Sequence, residues 1–498
     1  MSMFSIDIQK LINQFRYQPD EPLLFTSGLF LLLFVGFLLI YIPLSSTHRP
    51  KLIFTTIFSL YFYYKSSGLF FLLLISTTCI DYALAKLIYD NRTPWKRSVL
   101  LTISLLSNLG LLGYFKYTNF LHEIFSNLAD LPYQPFDIFL PVGVSFFTFQ
   151  SLSYTIDIYR KQLKPADHII DYAFFVSFFP QLVAGPIVRA SGFLPQLAKP
   201  TLVTKEMFGK GIYLITAGLF KKAVISNYIS ANFVDRVFDS PALFTGLENL
   251  FGVYGYALQI YCDFSGYSDM AIGLALLLGF HFNENFNAPY TAINITEFWR
   301  RWHISLSTWL RDYLYISLGG NRHGRIRTYL NLMITMLLGG LWHGASFRFI
   351  LWGGLHGIML AIHKFFGELN FTSKLASTPL LKSISSLVAG LFTFHFVCFC
   401  WIFFRAPSME YAGQMLNQIV YHFTPAIFFE FIAGYWSVCS LILLGYILHF
   451  LPKSVDLTAE RWTIQLPLAG KAVLVLVVIV LCIQTRSASI QPFIYFQF

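Results

Sequence analysis

The chain has 498 residues, 56% of them apolar and 12% charged, with 35 Lys and Arg against 25 Asp and Glu. Soluble domains carry about 25% charged residues, and a soluble interior is too small to hide 54 phenylalanines behind so few charges. A soluble globular protein and a disordered chain are both excluded. What remains is a polytopic membrane protein, whose formal charge of +10 belongs to cytoplasmic loops rather than to a surface for nucleic acid.

Asp20 and Glu21 precede the first apolar run, where a signal peptide would carry positive charge, and the run 23–44 is longer than a signal core. It is expected to stay and to span. Further apolar segments follow at 51–64, 68–89, 98–118, 137–156, 211–231, 249–280, 328–342, 346–366, 386–404, 426–450 and 468–484. No stretch between them is long enough for a separate soluble domain, so the whole of 1–498 reads as one membrane-embedded domain. Counting spans of suitable length gives an all-α fold of roughly 11–12 transmembrane helices.

Three segments depart from a plain span. The run 171–187 is short and carries Pro180, Gly185 and Pro186. The run 249–280 is too long and is interrupted by CDFSGYSD at 262–269. The run 298–318 is half apolar, half charged. Irregular or charged backbone survives at membrane depth only where protein or a wet cavity meets it, so all three are expected to be broken or re-entrant helices around an interior cavity.

Charge asymmetry sets an orientation. The connection 119–137 holds Glu123, Asp130 and Asp137 and no Lys or Arg. The connection 90–97 holds Arg92, Lys96 and Arg97 against Asp90, and 300–327 holds six arginines against Asp312. Basic loops stay inside, which places 90–97 and 300–327 in the cytoplasm and 119–137 outside. The six cysteines, 79, 262, 398, 400, 439 and 482, all fall in apolar segments without zinc-ligand spacing. They read as buried apolar filler, with no metal site and no disulfide framework.

Two histidines carry the chemistry. His343 sits in LLGGLWHGAS and His303 in EFWRRWHISLSTWLRDYLY. An ionisable group inside the membrane is a functional candidate by default, and a neutral imidazole can take a proton from an attacking hydroxyl. A histidine merely satisfied by a neighbouring helix is the competing reading. It is the stronger one for His356 and His363, and for His395, expected in the core. Gly339, Gly340 and Gly344 flank His343, where they allow close approach of a ligand or, more simply, of another helix. Asp263 and Asp269 need partners or water at their depth and read as structural or as orienting a histidine. Arg300, Arg301, Arg311, Arg322 and Arg325 could grip phosphates, although topology and lipid headgroups explain each one singly. GxSxG, HExxH, Walker A and GxGxxG are absent, and no internal repeat supports a transporter fold.

The segments IYCDFSGYSDMAIGLALLLGF (260–280), ITEFWRRWHISLSTWLRDYLYISLGGNRHG (295–324) and NLMITMLLGGLWHGAS (331–346) occur together here. With GYFKYTNF, LPVGVSFFTFQSLSYTIDIYR and FFPQLVAGPIVR upstream, they resemble the membrane-bound O-acyltransferases, specifically the bacterial alginate-type polysaccharide O-acetyltransferase branch. The likeness covers about residues 20–405, leaving C-terminal helices in 406–498. Cys262 stands where that branch usually has Phe.

The resemblance implies a ring of tilted helices around a central tunnel. It implies a catalytic histidine at His343 and a second family histidine at His303, with Trp342, Gly344, Asp263 and Asp269 beside them. No cofactor is implied; acetyl-CoA is the expected donor substrate, its phosphates held by the arginines. The acetyl group would cross the bacterial inner membrane among its lipids. It would pass to a separate periplasmic SGNH-type acetyltransferase, since no such domain is fused here, and end on an exported polysaccharide. Two rivals stay open: D-alanyl transfer to teichoic acids from a small carrier protein, and a proton-coupled transporter with histidine relays. A lipid-binding scaffold without chemistry is a weaker third.

Overall fold

In a computed structural model of the protein, residues 8–19, 21–368 and 379–485 are described. Asp20 and the part of the C-terminal region beyond 485 lie outside them. Every regular element among the described residues is helical. Four stretches are long and apolar enough to cross a membrane: His48–Asp90, Pro94–Leu128, Phe347–Glu368 and Pro379–Arg405. The pair Pro425–Gly434 and Trp436–Phe450, bent by 96°, is a fifth if counted as one span. Gly28–Leu44 and Leu468–Gln484 are apolar helices of 17 residues each. Gly246–Leu277 and Gly324–His343 have the length to span but not the apolarity. The protein is therefore an all-helical, multi-pass membrane protein.

The residues cluster in two compact units, Met1–Gly211 with Ala271–Phe282, and Ile212–Met270 with Asn283–Phe498. The first unit shows how the sequence tolerates a helix break. The Ile169–Ser177 helix stops at Phe178, whose ψ is 113°, and a single turn, Phe179–Leu182, follows. The freed Phe179 N–H donates to Ser59 Oγ at 3.1 Å, and the Gln181 amide donates to the Phe175 carbonyl. These bonds replace what the helix no longer supplies. The rings of Phe25, Phe30, Phe37, Phe58 and Phe62 gather around Phe179 with centroids 5.2–6.4 Å away. The expectation of a broken segment at 171–187 is met.

A buried carboxylate in the same unit had drawn no attention in the sequence. Asp81, fully buried in the Phe71–Asp90 helix, accepts from the Ser104 hydroxyl at 2.7 Å and from the Asn108 amide at 2.9 and 3.0 Å.

The expectation of a broken helix at 262–269 fails. Gly246–Leu277 is one helix of 32 residues. Its polar residues look sideways for partners instead of interrupting it. A Cβ on Gly218 would lie 2.5 Å from the Gly266 carbonyl oxygen, and one on Gly266 would lie 2.8 Å from the Gly218 oxygen. That close crossing sets Lys221 and Lys222, in a π-helical stretch Phe220–Ser226, against Asp269 and Asp263.

A second close crossing builds the helical hairpin of Gly324–His343 and Phe347–Glu368. A Cβ on Gly340 would meet the Phe349 carbonyl oxygen at 2.2 Å, and one on Gly353 would meet the Met336 oxygen at 2.3 Å. Backbone carbonyls cannot rotate away as side chains do, so small residues are required here.

Of the cysteines, Cys262, Cys398 and Cys400 are buried as expected, but Cys79 is exposed and Cys439 and Cys482 are half-buried; all six are free thiols. Cys79 lies on a face with exposed Ile75 and Ile80, where lipid replaces the protein core as apolar surroundings.

Gly340→Ala and Gly353→Ala should each destabilise the hairpin by about 1–3 kcal/mol through overpacking. Gly354→Ala, whose Cβ would meet only Leu337 at 3.5 Å, should be neutral. Unfolding midpoints in detergent and membrane abundance of the three variants check this.

Candidate active site

The segment 295–309 is built around a chain reversal. Asn294 caps the Ile295–Arg301 helix, its Oδ1 accepting from Glu297 N–H at 2.8 Å. The helix ends at Trp302, and His303 adopts φ +42°, in the left-handed region that histidine seldom occupies. A second short helix, Ile304–Trp309, then begins. The expectation of a broken helix at 298–318 is met at this residue.

Asn285 holds the reversal. Its backbone carbonyl accepts from Ile304 N–H at 2.9 Å, and its Oδ1 accepts from Ser305 N–H at 3.1 Å and Ser305 Oγ at 2.8 Å. Its Nδ2 donates to Ser268 Oγ at 3.1 Å. The same Oδ1 lies 3.2 Å from His303 Nδ1. An amide oxygen only accepts, so Nδ1 carries the proton and His303 Nε2 presents a lone pair. That Nε2 is buried without a partner among the described residues. Asn285 was not found in the sequence, where it is one of several asparagines in a polar loop.

His303 is fully buried between Phe264, at 4.6 Å between ring centroids, and Trp342, at 6.2 Å. Trp342 in turn packs against His343 at 5.0 Å. The two histidines singled out from the sequence thus both contact one indole. His343 ends the Gly324–His343 helix, is 4% exposed, and meets Trp352 at 5.1 Å and Phe404 at 5.3 Å. Arg348 fixes Phe404 by donating to its carbonyl at 3.1 Å. A Cβ on Gly344 would lie 2.0 Å from the Phe349 ring, so Gly344 makes room for a side chain of its own hairpin.

The other expected residues are placed as follows. Asp263 pairs with Lys222, both buried, and Asp269 pairs with Lys221 at 2.6 Å. Arg301 is held by Glu297 at 2.7 Å and by the Asn287 carbonyl at 3.2 Å. Arg311 pairs with Asp312 at 2.6 Å and Arg325 with Glu368 at 3.3 Å. Arg300 and Arg322 are exposed. His363 shares a hydrogen bond of 2.9 Å with Thr296.

His395, expected in the core, is exposed. It is satisfied all the same, with Nδ1 donating to Leu391 O at 2.7 Å and Nε2 accepting from Tyr254 O–H at 3.0 Å. Its helix, Pro379–Arg405, turns that face outward. His356, given low weight in the sequence, is fully buried beside Trp352, at 4.8 Å, and Trp299, at 5.2 Å.

Comparison with known proteins identifies the family. The profile of the membrane-bound O-acyltransferase family matches residues 166–401. The probable alginate O-acetylase AlgI of Pseudomonas aeruginosa is 42% identical over 404 residues, covering 80% of this chain and 75% of that protein. The probable alginate O-acetylase AlgI of Pseudomonas putida is 36% identical over 513 residues, covering 96% of this chain and all of its own length. The peptidoglycan O-acetyltransferase of Helicobacter pylori is 36% identical over 428 residues, covering 80% of each chain. The chain belongs to the membrane-bound O-acyltransferase family, and it is an O-acyltransferase.

Asp263→Asn removes the carboxylate charge opposite the buried Lys222 ammonium and should cost about 3–5 kcal/mol, whereas Lys222→Met with Asp263→Leu should retain more stability than either single change. Thermal unfolding of the wild type and these variants in detergent reads the difference.

Proposed function

We propose that the protein carries an acetyl group from cytoplasmic acetyl-CoA across the bacterial inner membrane for O-acetylation of an exported polysaccharide such as alginate. A separate periplasmic acetyltransferase with an SGNH-type serine completes the transfer. The observation that carries the reading is the pair His303 and His343, both in contact with Trp342 in a buried, aromatic setting, in a chain whose relatives are named for O-acetylation of alginate and of peptidoglycan.

In this reading His343 is the general base that takes the proton of the attacking hydroxyl. His303, its lone pair fixed at Nε2 by Asn285, orients the acyl group and is the second base to consider. Burial suits the chemistry, because a neutral imidazole needs no counterion and water that would hydrolyse the thioester is kept out. Of the basic cluster, Arg301, Arg311 and Arg325 hold acidic partners, whereas Arg300 and Arg322 show none among the described residues, and they are the first choices for the CoA phosphates. D-alanyl transfer would require a carrier protein and ligase encoded nearby, and a transporter would consume no thioester.

His343→Ala and His343→Gln should both lose polymer acetylation by about 10²–10⁴-fold while inserting at normal levels. An amide forms hydrogen bonds but does not accept the proton. Near-normal activity of His343→Gln would move the base to His303, and loss of both variants from the membrane would make the residue structural. Ester content of the exported polymer and quantified membrane fractions report the outcome.

Sidedness is tested separately in a cysteine-free background. A cysteine at Asn127 should label from the periplasm and one at Arg322 should not. The reverse pattern would place the donor site on the wrong face.

A further inference from the structure

The Phe347–Glu368 helix carries two buried hydrogen-bond donors that no described residue satisfies. Trp352 is 1% exposed, and its indole Nε1–H finds no acceptor. His356 follows one turn later and is fully buried. Trp299 Nε1 lies 3.3 Å from His356 Nδ1. An indole nitrogen only donates, so Nδ1 is the acceptor and the proton sits on His356 Nε2. That N–H also has no partner among the described residues.

Residues four apart share one face of a helix, and the two rings are 4.8 Å apart. Trp352 packs edge-on against His343 at 5.1 Å. Phe404, Trp401 and Phe396 close the surroundings. Buried donors are usually paired in native proteins, and here two without a partner among the described residues lie one turn apart beside His343.

We propose that Trp352 Nε1–H and His356 Nε2–H form an oxyanion hole that takes the carbonyl oxygen of an acyl thioester. This rests on the acyl-transfer reading above. The hydroxyl oxygen bonds to the acyl carbon, the carbonyl π pair moves onto oxygen, and the hydroxyl proton passes to a histidine nitrogen. The two N–H groups hold the resulting oxyanion. When the carbonyl re-forms, the C–S bond breaks, and the sulfur leaves as a thiol with the proton that the histidine returns. Both donors are neutral, so they are held ready in an apolar enclosure without burying a charge, where hydrogen bonds to a developing anion are strongest.

The test uses the full chain in proteoliposomes. It measures thiol release from acetyl-CoA with a periplasmic SGNH-type acetyltransferase and its glycan both present, in the pairing that gives the highest wild-type rate. Trp352→Phe keeps the ring and removes the N–H; His356→Ala removes the donor, and His356→Gln restores an N–H near the Nε2 position. Trp352→Phe and His356→Ala should each lower kcat by about 10²–10³-fold with KM for acetyl-CoA nearly unchanged. His356→Gln should recover at least about tenfold of the loss. Membrane abundance and detergent melting of each variant accompany the rates, and if His356→Ala does not fold, Trp352→Phe decides.

A wild-type kcat retained by folded Trp352→Phe overturns the oxyanion hole while leaving acyl transfer standing. A raised KM with unchanged kcat does the same, because it marks ground-state binding only. A wild type inert toward the thioester overturns both.

Discussion

The hydrocarbon interior of a bilayer offers a polar group no water, so each one must find its partner inside the protein. That constraint organises the whole molecule. The carbonyl and amide of Asn285 pin a helix break that would otherwise leave open backbone at His303. Ser59 does the same for Phe179. Lys221 and Lys222 answer Asp269 and Asp263. Of the buried polar atoms without a partner among the described residues, a lone pair on His303 and the N–H groups of Trp352 and His356 lie in the aromatic cluster that includes His343.

Glycine makes those pairings possible by letting backbones approach. Gly218 with Gly266 brings the lysines to the aspartates, and Gly340 with Gly353 joins the hairpin that ends in His343 and continues through Trp352 to His356. The same helices therefore supply stability and place chemistry. The indole rings of Trp342 and Trp352 both pack at steep angles against His343.

The sequence made much of this legible. The breaks near Phe178 and His303 were announced by Pro180, Gly185 and the charged run after 298, and both histidines beside Trp342 stood in recognisable motifs. The continuity of Gly246–Leu277 was hidden because Asp263 and Asp269 look like breakers until their lysines, more than forty positions earlier, are in place. Asn285 gave no signal, since nothing in a polar loop says which amide faces a histidine. His395 was misplaced for the same reason: a histidine on an apolar helix does not say which face it occupies, and this one is exposed while His356, read as a packing residue, is buried.

The left-handed backbone at His303 has a consequence for how this protein can be changed. An L-residue in that region costs roughly 1–2 kcal/mol, a penalty that glycine escapes. Glycine would escape that penalty but would also empty the space the buried ring fills against Phe264 and Trp342 and drop its hydrogen bond to Asn285, at a cost of about 2–5 kcal/mol. The imidazole therefore holds its own strained backbone in place through what its ring touches. An engineer who relaxes this backbone by removing the ring loses more stability than the relaxation returns.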